Sequence, residues 1–212
     1  MSEEKFLRAE LCRFGRSLFE RGLTAGSSGN LSVRLADGFL MTPTNSCLGT
    51  LDAERISKLD AHGRPIAGDA PTKEVALHMG FYEARPQANA VVHLHSTYAT
   101  ALSCLSDVDP EDAIPPITPY VVMRVGRVPV VPYTQPGAAE VKSYILDKAP
   151  AHAAVLLANH GPVVSGPSLA AAVYAAEELE ETAKLVIITR GLPVRRLSAE
   201  AIAELDAKFR LK

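Results

Sequence analysis

The chain has 212 residues, 47% of them hydrophobic and 22% charged, which suits one α/β domain with its own core and excludes a disordered segment. Its 22 Lys and Arg against 24 Asp and Glu give a formal net charge of −2, and there is no basic run, which excludes a nucleic-acid surface on electrostatic grounds. No apolar stretch approaches the roughly 20 residues of a membrane span.

Residues 1–5 (Met-Ser-Glu-Glu-Lys) lack the order of a signal peptide. Cys12, Cys47 and Cys104 form no CxxC, which argues for a reducing cytoplasm. No repeat or long linker interrupts the chain, so residues 1–212 read as a single domain.

Apolar residues from Phe6 to Phe19 recur at helical spacing, so residues 4–21 predict a helix stopped by Gly22. Leu31–Leu35 and Phe39–Thr42 flank Asp37-Gly38 as a hairpin, and Ile56–Leu59 adds a short strand before a turn at His62-Gly63. Lys73–Ala84 predicts a helix with Thr72 as N-cap and Glu74 in its first turn. A buried strand over Ala90–His95 leads into a helix from Ser96 to Cys104, then a loop over Asp107–Pro116.

Strands at 128–131 and 153–157 enclose a helix over 138–147. Gly161-Pro162 reads as a turn before a strand at Val163-Val164, and helices over 168–189 and 198–210 close the chain. Hairpins mixed with alternating strands and helices predict an α/β fold with a mixed sheet covered by helices.

Six histidines offer chemistry. His93 and His95 stand two apart on a strand, so their side chains share a face and can converge on one ion. A lone histidine there would be a hydrogen-bonded core residue; an HxH pair is a ligand candidate. His160 ends the apolar run 153–158 beside Gly161, where it can project into a cleft. Three neutral imidazoles with an open fourth position suit a catalytic zinc ion.

His78 lies four residues after Glu74 and reads as packing or support, while His62 and His152 read as surface residues. Glu74 is either a dipole-compensating carboxylate or a general acid/base beside the metal, and spacing does not choose between these. Ser27–Asn30, Thr42–Ser46 and Thr72-Lys73 are donor-rich stretches of the kind that hold phosphate, though each alone also reads as a turn.

In this order, SSGNLSVR (27–34), LMTPTN (40–45), PTKE (71–74), AVVHLHS (90–96) and LLANHGPVVSG (156–166) resemble the class II aldolase/adducin family typified by fuculose-phosphate aldolase. The resemblance implies a three-layer α/β/α fold with a largely antiparallel mixed sheet and a cyclic homotetramer. It implies zinc on His93, His95 and His160, with Mn2+, Fe2+ or Co2+ as alternatives. Glu74 would be the acid/base and a ligand of the empty site. Ser28, Gly29, Asn30, Thr44, Asn45, Thr72 and Lys73 would hold the phosphate end of the substrate.

Where the aldolases have Ser-Ser-Glu, this chain has Thr72-Lys73-Glu74. With SCLGTLD (46–52) and PPITPYVVMRVG (115–126), this looks most like the 3-oxo-tetronate 4-phosphate decarboxylase branch. Tyr120 matches the tyrosine that family members lend to a neighbouring subunit as proton donor.

The chemistry implied is loss of CO2 from a β-keto acid. Zinc acts as Lewis acid for the resulting enediolate, and protonation then gives dihydroxyacetone phosphate. An aldolase on a ketose 1-phosphate makes the same enediolate and is the alternative. A methylthioribulose-phosphate dehydratase shares the zinc site. Epimerase relatives carry Asp at the position of Glu74, and an adducin-like interaction module would not need the three histidines.

Overall fold

The computed structural model describes residues 2–209. Ser2 caps the first helix, α1 (Glu3–Glu20), by accepting at Oγ from the Lys5 N–H, and Glu3 and Glu4 place negative charge at its positive end. The helix stops as expected: Gly22 takes φ +74°, and the N–H groups of Gly22 and Leu23 donate to the carbonyls of Phe19 and Leu18.

The hairpin forms as β1 (Asn30–Leu35) and β2 (Gly38–Met41), with Gly38 opening β2 instead of ending the turn. β3 (Ser57–Asp60) follows, then β4 (Pro65–Ala67), a short exposed edge strand without hydrophobic signal in the sequence. Helix α2 (Val75–Ala84) begins later than the sequence predicts. Pro71 bridges to Pro43 and the Thr72 N–H donates to the Thr42 carbonyl, so the backbone is still paired where a helix was expected to start. Glu74, not Thr72, takes the capping position; Thr72 Oγ1 accepts from the Glu74 N–H at 3.3 Å.

The remaining elements are β5 (Ala90–His93), α3 (Thr97–Ser103), α4 (Pro119–Arg124), β6 (Val130–Val131), α5 (Val141–Lys148), β7 (Ala154–Leu157), β8 (Gly161–Gly166), α6 (Leu169–Ile188) and α7 (Ala199–Phe209). The strand expected to reach His95 ends at His93. Gly161 and Pro162 open β8, and residues 158–160 make the turn. Tyr120 lies in the first turn of α4, which starts at Pro119 because proline at the first helical position has the φ a helix needs. Residue 210, predicted to end the last helix, lies outside the described residues.

The eight strands form one sheet in the order β4-β3-β2-β1-β5-β8-β7-β6. Every pairing is antiparallel except β6 with β7, so the sheet is mixed and largely antiparallel, as predicted. Strand alternation divides the core. Leu31, Val33, Val92, Leu156 and Val164 face α1, α3, α4 and α6. Phe39, Met41, Val91, Val155 and Val163 face α2 and α5. Three layers result, helices on both faces of the sheet.

Candidate metal centre

The site forms at one end of β5, which is paired on both sides. Asn30 of β1 stands opposite His93, and Val163 of β8 stands opposite it on the other flank. Two glycines let the neighbouring chain close in. A Cβ on Gly29, where φ is +76°, would lie 2.9 Å from the His93 carbonyl oxygen. A Cβ on Gly161 would lie 2.4 Å from the Leu94 carbonyl oxygen.

The turn carrying His160 is tied down from α3. The Asn159 N–H donates to the Ser103 carbonyl, and the His160 N–H donates to Ser103 Oγ. Asn159 adopts φ +55°, a conformation asparagine tolerates.

His93, His95 and His160 converge through their Nε2 atoms, which lie 3.1, 3.3 and 3.0 Å apart. The His93 ring stays buried, and its Nδ1 donates to the Pro162 carbonyl at 2.9 Å, so the neutral ring presents a lone pair at Nε2. Glu74 completes the group, with Oε2 3.3 Å from His93 Nε2 and Oε1 3.7 Å from His160 Nε2. One donor atom from each residue falls within 4.8 Å of all the others.

Lone pairs gathered this closely repel unless a cation lies among them. Tetrahedral bonds of about 2.0–2.1 Å space nitrogen ligands about 3.3 Å apart, close to the separations here. The residues therefore fit a divalent metal ion.

Charge and burial reinforce this. Burial, then the neighbouring His160 and His95, push the His93 imidazole down to about 4, against the pull of Glu74 and the Pro162 carbonyl. Burial and His160 lower His95 as well. Burial would raise the Glu74 carboxyl, but His93, the Asn30 hydrogen bond, His160 and His78 together hold it below its ordinary value. The shifts of His93, His95 and Glu74 all run toward the deprotonated forms that bind a metal ion.

The other expected site residues divide. Asn30 Nδ2 donates to Glu74 Oε2 at 2.8 Å, and His78 Nε2 meets Asn30 Oδ1 at 2.5 Å. The sequence points Asn30 toward substrate and His78 toward packing or support, and neither reading includes the contact between them. The signal was present in the alternation of Asn30 and Ser32 with Leu31 and Val33, facing His78 and Tyr82 one helical turn apart.

Ser28 Oγ donates to the Ala25 carbonyl, and the Thr44 N–H donates to the Ala70 carbonyl. Asn45 sits at φ +57°, and Lys73 is exposed beside Gly137. Tyr120 is 54% exposed. Cavities of about 820 Å3, beside Arg190, and about 560 Å3, beside Met123, include none of the four clustered residues.

The chain is 55% identical over 207 residues to a 3-oxo-tetronate 4-phosphate decarboxylase of Pectobacterium atrosepticum, covering 97% of this chain and 95% of the relative. It is 36% identical to an L-fuculose phosphate aldolase of Escherichia coli over 193 residues, 89% of this chain and 87% of that one. The crystal structure of YgbL from Escherichia coli superposes with a TM-score of 0.94 at 51% identity, covering 96% of this chain and 99% of that one. Residues 9–187 match the family described as Class II Aldolase and Adducin N-terminal domain. The chain belongs to the class II aldolase and adducin family.

Proposed function

We propose that this protein is a metal-dependent carbon–carbon lyase that decarboxylates a 3-oxo-tetronate 4-phosphate to dihydroxyacetone phosphate and CO2. The observation that carries the reading is the cluster of Glu74 with His93, His95 and His160, in a chain 55% identical to a decarboxylase of that substrate. The more distant fuculose phosphate aldolase, at 36% identity, favours aldol cleavage only as a second reading.

His93, His95 and His160 hold the metal, zinc first by the preference of a three-imidazole site, with Mn2+, Fe2+ or Co2+ as alternatives. When bound, the ion supplies Lewis-acid stabilisation for charge that develops on the substrate ketone. The bond between the carboxylate carbon and C2 breaks, CO2 leaves, and the electron pair passes to the C3 carbonyl. A proton then returns to C2.

Glu74 is placed to hold or move that proton at its carboxylate. Tyr120 of a neighbouring subunit is the first candidate to deliver it, since its ring is exposed at the start of α4. The working unit is then an oligomer with sites between subunits, a homotetramer by the family resemblance. Lys73 orients the substrate carboxylate or phosphate, and Ser28, Gly29, Asn30, Thr44, Asn45 and Thr72 line the phosphate end.

Residues 1–212 act as one domain, and three unpaired cysteines support a cytoplasmic setting. No helix among the described residues is long and apolar enough to cross a membrane.

The test is metal analysis followed by assay of both tetronate stereoisomers. One equivalent of metal, with CO2 and dihydroxyacetone phosphate released together, is expected. Efficient condensation of dihydroxyacetone phosphate with lactaldehyde and no CO2 would establish the aldolase instead. Unchanged decarboxylation in Lys73→Ser, or full turnover in Tyr120→Phe, removes that residue from the mechanism.

A further inference from the structure

Behind Glu74, on the α2 face of the sheet, four polar side chains continue inward from the metal centre. Asn30 Nδ2 lies 2.8 Å from Glu74 Oε2; Asn30 Oδ1 lies 2.5 Å from His78 Nε2; His78 Nδ1 lies 2.7 Å from Ser32 Oγ; and Ser32 Oγ lies 2.8 Å from the Tyr82 hydroxyl. His78 and Ser32 are fully buried, and Tyr82 and Asn30 nearly so.

The chemistry of each group fixes the direction of every bond. An ionised carboxylate only accepts, so Asn30 turns its NH2 toward Glu74 and its carbonyl toward His78. That carbonyl also only accepts, so His78 Nε2 carries a proton. A neutral ring then has a lone pair at Nδ1, to which the Ser32 hydroxyl donates. Ser32 Oγ is left to accept from the Tyr82 hydroxyl. All four protons point toward Glu74.

We propose that His78 is a positioning residue for the reaction: as its Nε2–H tautomer, held by Ser32 and Tyr82, it locks the Asn30 amide so that Glu74 receives a donor. Were the Asn30 amide reversed, its carbonyl oxygen would face the carboxylate and push it from its place beside His93 and His160. Aligned chains of hydrogen bonds polarise one another, so each upstream link strengthens the next. This rests on the proposed catalytic role of Glu74 and adds to it the residues that orient that carboxylate.

Two measurements test it, and the first does not depend on turnover. In 15N-histidine-labelled protein, zinc-loaded and chelator-treated alike, His78 is expected as the Nε2–H tautomer at pH 7, assigned by the signal missing from His78→Gln. An Nδ1–H tautomer or an imidazolium overturns the proposal.

The second is kinetic. His78→Leu is expected to lower kcat by about 10- to 100-fold, the scale of a small misplacement at a reacting group, with one equivalent of metal retained and KM little changed. His78→Gln, which keeps an N–H for the Asn30 carbonyl, is expected to restore most of it. Equal activity in the Leu and Gln variants overturns the positioning role. If His78→Leu does not fold, Tyr82→Phe and Ser32→Ala carry the test: the link farther from Glu74 should cost less, and the reverse order overturns the chain. Failure to release CO2 from any tetronate, with the Nε2–H tautomer observed, sinks the proposed substrate and not the hydrogen-bond chain.

Discussion

The two faces of the sheet are built from different materials. Toward α1, α3, α4 and α6 the core is mostly apolar, with Leu31, Leu94, Leu156 and Leu179 fully buried and the buried Glu180 carboxylate accepting from the Tyr98 and Ala99 N–H groups. Toward α2 and α5 the core is smaller, and where α2 crosses β1 and β5 it holds Asn30, Ser32, His78, Tyr82 and His93 in place of hydrocarbon. Burying polar groups costs free energy unless each finds a partner. Here the partners form a directed chain that ends at the metal cluster. One face supplies most of the hydrophobic stabilisation, and the other gives up some of it to hold a charged site in order.

Three changes would break or sharpen this contrast. The largest effect is expected from Glu74→Gln, which removes the carboxylate from the polar face while leaving three imidazoles. Turnover should fall by about 10²- to 10⁴-fold, the usual contribution of a general acid/base, while metal analysis still gives one equivalent. Turnover near that of the parent protein would mean that the α2 face supports the site without taking part in the chemistry.

Next, Leu179→Ala opens a cavity in the apolar face and should cost about 2–5 kcal/mol of stability. Denaturant unfolding measures the loss, and activity per folded molecule should stay the same. A matched loss of kcat would show that the two faces are not separable.

The smallest effect concerns acid. Burial pushes the His78 imidazole down to about 3, from 6.5 in an unperturbed ring, with His93 adding to the shift and Glu74 opposing it. Above pH 6.5 neither the folded nor the unfolded chain binds this proton. Between those two values the unfolded chain takes it up and the folded chain does not. Stability therefore falls on acidification, by up to about 1.4 kcal/mol per pH unit for this one group. Unfolding of metal-free protein between pH 4 and 7 should show a shallower slope in His78→Gln; identical slopes would mean that native His78 takes up its proton at the same pH as the unfolded chain.

The sequence made the clustered histidines legible, and little of what supports them. His93 and His95 declared themselves by strand spacing, and His160 by its place at the end of an apolar run. Glu74 needed the family resemblance, because a carboxylate at a helix start has an ordinary reading as a dipole partner. The hydrogen bond from Asn30 to Glu74 crosses 44 residues of sequence, and that from Ser32 to His78 crosses 46. Such contacts depend on how α2 lies across β1, which no local pattern states.

The same limit explains the misplaced boundaries. Thr72 looked like a cap because threonine before a carboxylate usually is one, but pairing of residues 71 and 72 with 42 and 43 holds that backbone out of the helix. Helix α4 is six residues long and follows a proline-rich stretch, too short for a periodicity to be read.

The position of β5 within the sheet has a consequence for how this protein fails. β5 is fifth of eight strands, hydrogen-bonded along both edges, while the exposed β4 and the two-residue β6 close the sheet at its margins. Local opening begins where backbone bonds face solvent and few apolar contacts hold them. Fraying of β4 or β6 leaves β5 and both its neighbours joined, so a nicked or partly loosened molecule keeps His93 and Asn30 side by side. His93 therefore stays in place until the centre of the sheet opens, whereas Glu74 at the start of α2 and His160 in its turn can part from it earlier.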